Sequence, residues 1–411
     1  MSAASESSYR RAEPGAVGLA VALGLAVLTF AWGLLHTGFY ERNQIVDTPV
    51  YQEYGEAITH GRVPYRDFEL EYPPAALPVF LLPALADGDD YRTAFEVLMW
   101  ACAAAALVFV ALAAAATGAS AGRMVAAVTF VALAPLALGS VVLTRFDFWP
   151  AALAAAALAA LLTGRDRLGQ GVLALAAAAK VYGIVLLPLA LLWTARRHGK
   201  REALVSAGVF LAVLAVVLVP FAAIAPGGLA ESVERQLERP LQIESLASAV
   251  LLAAHQLGAY EPTVVSSSGS QNLAGSLPDA LAAVQTAFQA LAVAAVWLLF
   301  ALGRRDRASL VAASAAALTA FVAFGKVLSP QFLIWLIPLV PLVAATAGVA
   351  ASALLAAAVA TTQLWFPYRY WDVVALEPAG WLVLARDLML VALFAVLLVA
   401  MTRRPAGTRT P

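Results

Sequence analysis

Long apolar runs, each close to the length of a membrane span, recur from residue 16 to residue 401 and leave little chain for anything else. The first, 16–35, is about 20 residues, enough to cross the hydrocarbon core as a helix. Others fall near 93–117, 124–143, 148–163, 203–225, 281–302, 308–327, 331–348, 350–366 and 379–401. Only 13% of the residues are charged, against about a quarter in soluble domains. The expectation is one all-α, polytopic transmembrane domain over 1–411 with about ten to twelve helices. Residues 168–195 begin and end beside basic clusters, so the preference of Lys and Arg for the cytoplasmic side splits them into two short helices meeting near Lys180-Val181-Tyr182-Gly183. The run 75–86 is too short to cross and is expected to lie in the interface or re-enter.

The same preference orients the chain. Arg10 and Arg11, Arg165 and Arg167, Arg196 to Arg201, Arg304 to Arg307, and Arg403 and Arg404 fall on one side, the cytoplasmic one. The acidic residues gather in the loops that alternate with them. The first span has no A-x-A cleavage site and reads as a retained helix behind a cytoplasmic tail, 1–15. The C-terminal tail, 402–411, is then cytoplasmic, and two long loops, 37–92 and 226–280, face outward. Cys102 stands alone in an apolar helix and excludes a disulfide framework or a cysteine metal site. The four His residues form no cluster. Asp87-Gly88-Asp89 fits a D-x-D pattern but lies in a short exposed turn, so neither a metal nor a cofactor is expected. The Ala-rich runs are given no functional weight, and nothing points to nucleic acid.

The first outer loop carries the chemistry. Residues 47–74, DTPVYQEYGEAITHGRVPYRDFELEYPP, hold eight acidic or basic side chains, four Tyr and four Pro. A transfer to a hydroxyl needs a carboxylate within hydrogen-bond reach to take its proton. Asp47, just after the helix exit, and Glu69 and Glu71, beside Tyr-Pro-Pro, are placed to hang over a membrane-level cavity; Asp67 is a further candidate. Tyr51, Tyr54, Tyr65 and Tyr72 are read as sugar platforms or as interface-belt tyrosines. Charges at bilayer depth need a partner or a role. Lys180 and Lys326 have no acidic neighbour in sequence and suit a lipid phosphate, whereas Arg145/Asp147 and Arg386/Asp387 read equally as local ion pairs.

With these motifs in order, the chain resembles glycosyltransferase family 87. The resemblance rests on D-x₃-Y-x₂-YG-x-A-I-x₂-G-x-VPYRDFELEYPP, TRFDFWPA, LAAAAKVYGIVLLPLALLW, RPLQIES and GKVLSPQFLIWLIPL, spread over about residues 45–390. It implies a GT-C fold and an inverting transfer of a hexose, mannose first, from a polyprenyl phosphate to a cell-envelope lipid or glycan. The reaction would take place on the outer face of a prokaryotic plasma membrane. It implies Asp47 as base, and a donor phosphate met by Lys180, Lys326, Arg145 and Arg369 beside Tyr182. Sugar or acceptor contacts would come from Tyr51, Tyr65, Arg66, Tyr72, Arg239, Gln242, Glu244 and Gln331. One departure is Gly183, where the family pattern has Pro. The rival readings are a transporter or flippase of polyprenyl-linked sugars and a non-catalytic envelope-assembly subunit.

Overall fold

The computed structural model describes residues 14–42, 44–86 and 90–402. Arg10, Arg11, Asp87, Asp89, Arg403 and Arg404 lie outside the described residues, as do nearly all of both expected tails. Among the described residues, seven helices are long and apolar enough to cross a membrane: Gly15–Leu34, Tyr91–Ala116, Ala121–Leu138, Lys200–Ile224, Ser276–Leu302, Ala345–Trp365 and Gly380–Thr402. Shorter apolar helices fill the body between them, among them Phe148–Leu162 and Arg307–Ala323. The chain is thus an all-α polytopic membrane protein, and its expected ten to twelve helices are reached only by counting these shorter ones.

The helices divide by what surrounds them. Arg307–Ala323 is buried on nearly every side, the environment an all-round apolar helix requires inside a bundle. Lys200–Ile224 buries only Ser206 and Phe210 and turns Leu204, Leu211 and Val216 outward, as a lipid-facing helix does. The Ala-rich runs have a structural use after all. Ala151, Ala154, Ala155 and Ala157 of Phe148–Leu162 are buried, because small side chains let neighbouring backbones approach closely.

The helix breaks are where the fold builds its site. Asp166–Ala179 ends at Lys180, which is extended (φ −157°, ψ 126°). A 3-10 stretch, Val181–Leu186, then leads into Leu187–His198, so 168–195 splits where expected. Gly183 serves the break in a different way from a proline ring: a Cβ there would lie 2.7 Å from the Ala177 nitrogen, so only glycine lets the chain fold back this tightly. Two expected spans are corrected. The run 124–143 stops at Leu138, where Gly139 takes φ +60°. The run 331–348 is a chain of short pieces, Pro330–Phe332, Leu333–Leu336 and Val340–Leu342, because Pro338 and Pro341 remove the amides a continuous helix needs.

The two long loops are more ordered than the sequence suggested. The first contains the helix Thr48–Thr59, with Tyr51, Gly55 and Ala57 on its buried side. The second holds the helix Pro226–Leu237, the helix Leu246–Gln256 and a three-stranded antiparallel sheet, an element the all-α expectation lacked. Its strands are β1 (Leu241–Gln242), β2 (Thr263–Ser267) and β3 (Ser270–Ala274), in the order β1-β3-β2. The loops meet at Gly228, where a Cβ would sit 1.9 Å from the Tyr65 carbonyl oxygen. Gly228→Ala is therefore expected to destabilise the protein by about 1–3 kcal/mol, read as a lower thermal midpoint by tryptophan fluorescence in detergent. An unchanged midpoint would mean that the loops do not dock there.

Candidate active site

Asp47 stands at the N-terminal edge of Thr48–Thr59. Its Oδ1 lies 2.9 Å from Nη1 of Arg145, with the side chains 33% and 7% exposed. Tyr51 donates its hydroxyl to Oδ2 at 3.4 Å. Burial raises the Asp47 carboxyl above its usual range; Arg145 and Lys180 oppose that, while Glu71 and Asp147 add to it. The result is a half-exposed carboxylate, tethered by a cation, with proton affinity above that of a free aspartate.

Two expected pairings are corrected by the geometry. Arg145 does not pair with Asp147, its neighbour in sequence. Asp147 is buried and accepts on Oδ1 from Lys180 Nζ at 2.6 Å and from Trp335 Nε1 at 2.6 Å. Lys180 is therefore not a cation awaiting a ligand. Its ammonium also lies 4.6 Å from the ring centre of Phe146, 5.2 Å from Trp335, 5.4 Å from Phe332 and 5.8 Å from Tyr72. That cage of π faces satisfies the charge that the sequence left unpartnered. Tyr182 is fully buried and stacked on Trp335 at 4.1 Å, and its hydroxyl has no hydrogen-bond partner among the described residues.

The other phosphate candidates separate. Lys326 donates to the Leu237 carbonyl at 2.8 Å and has no carboxylate partner among the described residues; burial and Arg239 lower its pKa. Arg369 is held by Asp372 at 3.0 Å in a half-exposed pair. Arg66 and Asp67 form an exposed bidentate pair at 2.9 Å. Asp67 also accepts from the Val63 amide at 2.7 Å, and these bonds hold it down to about 2. Asp67 closes a turn, and these bonds make its carboxylate a weaker base than a free aspartate.

The tyrosines are mostly structural. Tyr51 is buried in a ring cluster, 4.7 Å from Phe80 and 5.9 Å from Tyr72. Tyr65 is buried too, donates to the Tyr72 carbonyl at 2.6 Å and takes the left-handed φ of +65°. Tyr54 and Tyr72 are half-buried. Tyr54 borders a cavity of about 220 Å³ shared with Glu69, Glu71, Arg235, Gln236 and Arg239. Glu69 is 75% exposed and ion-paired to Arg235. Glu71 accepts from Gln236 Nε2 at 3.2 Å and sits 3.9 Å from Arg239. A larger groove of about 450 Å³ lies against Asp166, Arg167, His198 and Glu202; its charged groups are paired with one another, Arg167 with Glu202 at 2.7 Å and His198 with Asp166.

Behind the cavity, β1 carries a buried polar group. Gln242 donates to Ser329 Oγ at 2.9 Å and to the Glu244 carboxylate. Gln331 lies two residues beyond Ser329, half-buried. Burial pushes Glu244 up to about 7 against the pull of Arg386, Arg145 and Arg239. Arg386 and Asp387 pair at 2.6 Å, both fully buried, as one of their two readings expected. The sequence missed the reach of Arg386 Nη2 to the Glu244 carbonyl, 2.7 Å away; the signal available was an arginine inside an apolar span. It also missed Gln236 and Arg235, and Trp335 as a partner of Asp147.

The sequence model of glycosyltransferase family 87 matches residues 70–330. Glu71, Arg145, Lys180, Glu244 and Lys326 fall inside that region, and Asp47 precedes it. A comparison with curated proteins finds no match. Among solved structures, the chain is similar to ArnT from Cupriavidus metallidurans bound to undecaprenyl phosphate, at a TM-score of 0.49 and 14% sequence identity, over 94% of this chain and 77% of that one.

Proposed function

The chain belongs to glycosyltransferase family 87, and from that premise we propose that it moves a hexose, mannose first, from a polyprenyl-phosphate donor to a hydroxyl of a cell-envelope lipid or glycan. The observation that carries the reading is the Asp47–Arg145 contact at 2.9 Å, a partly exposed carboxylate held against a buried cation, which we read as base and phosphate-facing charge at the rim of the membrane. The rim is proposed to face outward from a prokaryotic plasma membrane.

In the proposed reaction Asp47 takes the proton of the acceptor hydroxyl. The hydroxyl oxygen attacks the anomeric carbon from the face opposite the phosphate, and the bond from that carbon to the phosphate oxygen breaks. The electron pair leaves with polyprenyl phosphate, and the anomeric configuration inverts. Arg145 meets the negative charge that grows on the departing phosphate, with Lys326 as a second cation near the second loop. The Arg145 guanidinium and the Lys326 ammonium supply the compensating positive charge, and no metal or cofactor is proposed. Lys180 has a different part: paired with Asp147, it fixes the turn from which Arg145 projects.

The small polar cavity beside Tyr54 and Arg239 is proposed as the acceptor's seat, since carboxylates, an amide and guanidiniums match a polyhydroxylated glycan. Gln236→Ala, which removes the cavity's amide, is then expected to raise the acceptor KM about tenfold while kcat changes little, the pattern of lost uniform binding. An unchanged acceptor KM would move the acceptor elsewhere.

The direct test is turnover by the purified protein in lipid nanodiscs, supplied with labelled polyprenyl-phosphate mannose, glucose or arabinose and an envelope glycolipid extract. Labelled product from the mannose donor supports the reading. Product from another sugar alone overturns mannose and keeps the transferase. Movement of intact donor across a vesicle membrane without any product would overturn the enzyme.

A further inference from the structure

Glu244 occupies an unusual electrostatic position. It is 2% exposed, yet among the described residues no cation approaches its carboxylate within ion-pair distance, and its side chain touches only the Gln242 amide. Three arginines from three parts of the chain act on it: Arg386 from Gly380–Thr402, Arg145 from the turn before Phe148–Leu162, and Arg239 from the segment leading into β1. Each is anchored elsewhere, Arg386 on Asp387, Arg145 on Asp47, and Arg239 on Ser270 at 3.1 Å. Each also keeps a buried N–H without a hydrogen-bond partner among the described residues: Nη1 of Arg386, Nε of Arg145 and Nε of Arg239. Buried guanidinium donors left unpaired are costly, and these three, on arginines that all act on one carboxylate, are hydrogen-bond donors that a bound anion would satisfy.

The charge count narrows the role. Arg145, Arg239 and Arg386 face Asp47, Asp387 and the buried Glu244, with Glu71 also 3.9 Å from Arg239 at the more exposed edge, so the cluster already holds its full negative charge and an incoming phosphate diester exceeds it. Asp47 and Asp387 are fixed by direct ion pairs; Glu244 is not. We propose that Glu244 is the resident counter-ion of an anion site formed by Arg145, Arg239 and Arg386, and that a phosphate diester competes with it for those arginines. The inference rests on the reading that the donor is phosphate-linked, and adds Arg386 and a competing carboxylate to it.

The test measures binding without turnover. Two probes carry the same non-titrating phosphate diester, the methyl ester of undecaprenyl phosphate in nanodiscs and soluble dimethyl phosphate. Glu244→Gln, with its fold checked by thermal unfolding, is expected to bind the lipid probe at least about tenfold more tightly than wild type, since a like charge has been removed from the site. Parallel tightening of dimethyl phosphate extends the site to free diesters; tightening of the lipid alone assigns it to a headgroup presented by the membrane. Unchanged or weaker binding of both probes overturns the proposal. A second measurement needs no variant. The groups acting on Glu244 are Arg386, Arg145, Arg239 and Asp387, with Tyr370 beside it, and burial sets its titration near 7. Wild-type affinity for the lipid probe should rise as pH falls from 8 to 6, when the carboxylate takes up its proton. Absence of that rise, or its persistence in Glu244→Gln, overturns the role. Should no polyprenyl-phosphate sugar be turned over while the probe tightens as stated, the transferase reading falls and the anion site stands. Should turnover succeed while Glu244→Gln binds like wild type, this inference falls alone.

Discussion

Asp47→Asn is expected to lower transfer by about a hundred- to ten-thousandfold, the range that loss of a positioned general base produces. The amide keeps the shape and the hydrogen-bonding reach of the carboxylate and removes its ability to accept the proton. Donor KM should move far less than kcat, because Asp47 is proposed to act on the acceptor hydroxyl. The substitution also leaves Arg145, 7% exposed, without its anionic partner. Breaking a fully buried pair costs about 3–5 kcal/mol; here Asp47 is a third exposed, and water replaces part of what is lost. An unfolding curve must therefore accompany each rate. The pH profile is an independent check. Burial holds the Asp47 proton more tightly than an ordinary aspartate does, and the base works only when deprotonated. The wild-type kcat/KM should thus fall with acid at a pH above the usual aspartate value, and that limb should be absent from the residual activity of Asp47→Asn. If the variant keeps activity within about tenfold of wild type, outside the range for a lost base, the role passes to Glu71. That carboxylate acts electrostatically on Asp47 and lines the neighbouring cavity.

What the sequence disclosed and what it hid follow one rule. Composition and run length are local properties, and they revealed the polytopic helical body, the break at Lys180 and the charged first loop. Pairing is not local. Arg145 and Asp147 are two residues apart, and nearness in sequence suggested a pair. The fold joins Asp147 to Lys180 instead, 33 positions on, and sends Arg145 back to Asp47. Lys180 looked free for the same reason: its anion and its aromatic cage come from three separate parts of the chain, Tyr72, Phe146-Asp147 and Phe332 to Trp335. Burial was equally hidden. A tyrosine in a polar loop resembles a sugar platform, but Tyr51 faces inward, since a twelve-residue helix such as Thr48–Thr59 must seat one face against the bundle, and Tyr65 is tied inward by its hydrogen bond to the Tyr72 carbonyl. The hairpin β2–β3 left a faint trace, Ser268-Gly269 between short β-prone runs, a turn pattern easily read as a flexible linker. Pro338 and Pro341 were plain in the sequence; the hydrophobicity around them outweighed their meaning.

Arg145→Gln is the second large effect, and it separates the two parts assigned to that guanidinium. If Arg145 stabilises the departing phosphate, its loss should cut kcat by about a hundred- to a thousandfold, as removal of one preorganised donor does elsewhere. If it also tunes Asp47, the acid limb must move. Arg145 lowers the Asp47 pKa against burial, so its removal raises that pKa further and shifts the limb of kcat/KM to higher pH. A residue that only held the turn together would lower the amount of folded enzyme and leave the limb in place. The double variant Asp47→Asn, Arg145→Gln completes the cycle. Groups in direct contact do not contribute additively, and base and cation act on the two ends of one reaction. The double loss should therefore be smaller than the product of the single losses. Full additivity, with an unmoved limb in Arg145→Gln, would mean that the 2.9 Å contact is structural and that the growing charge on the phosphate is met by other cations, Lys326 and Arg386 first among them.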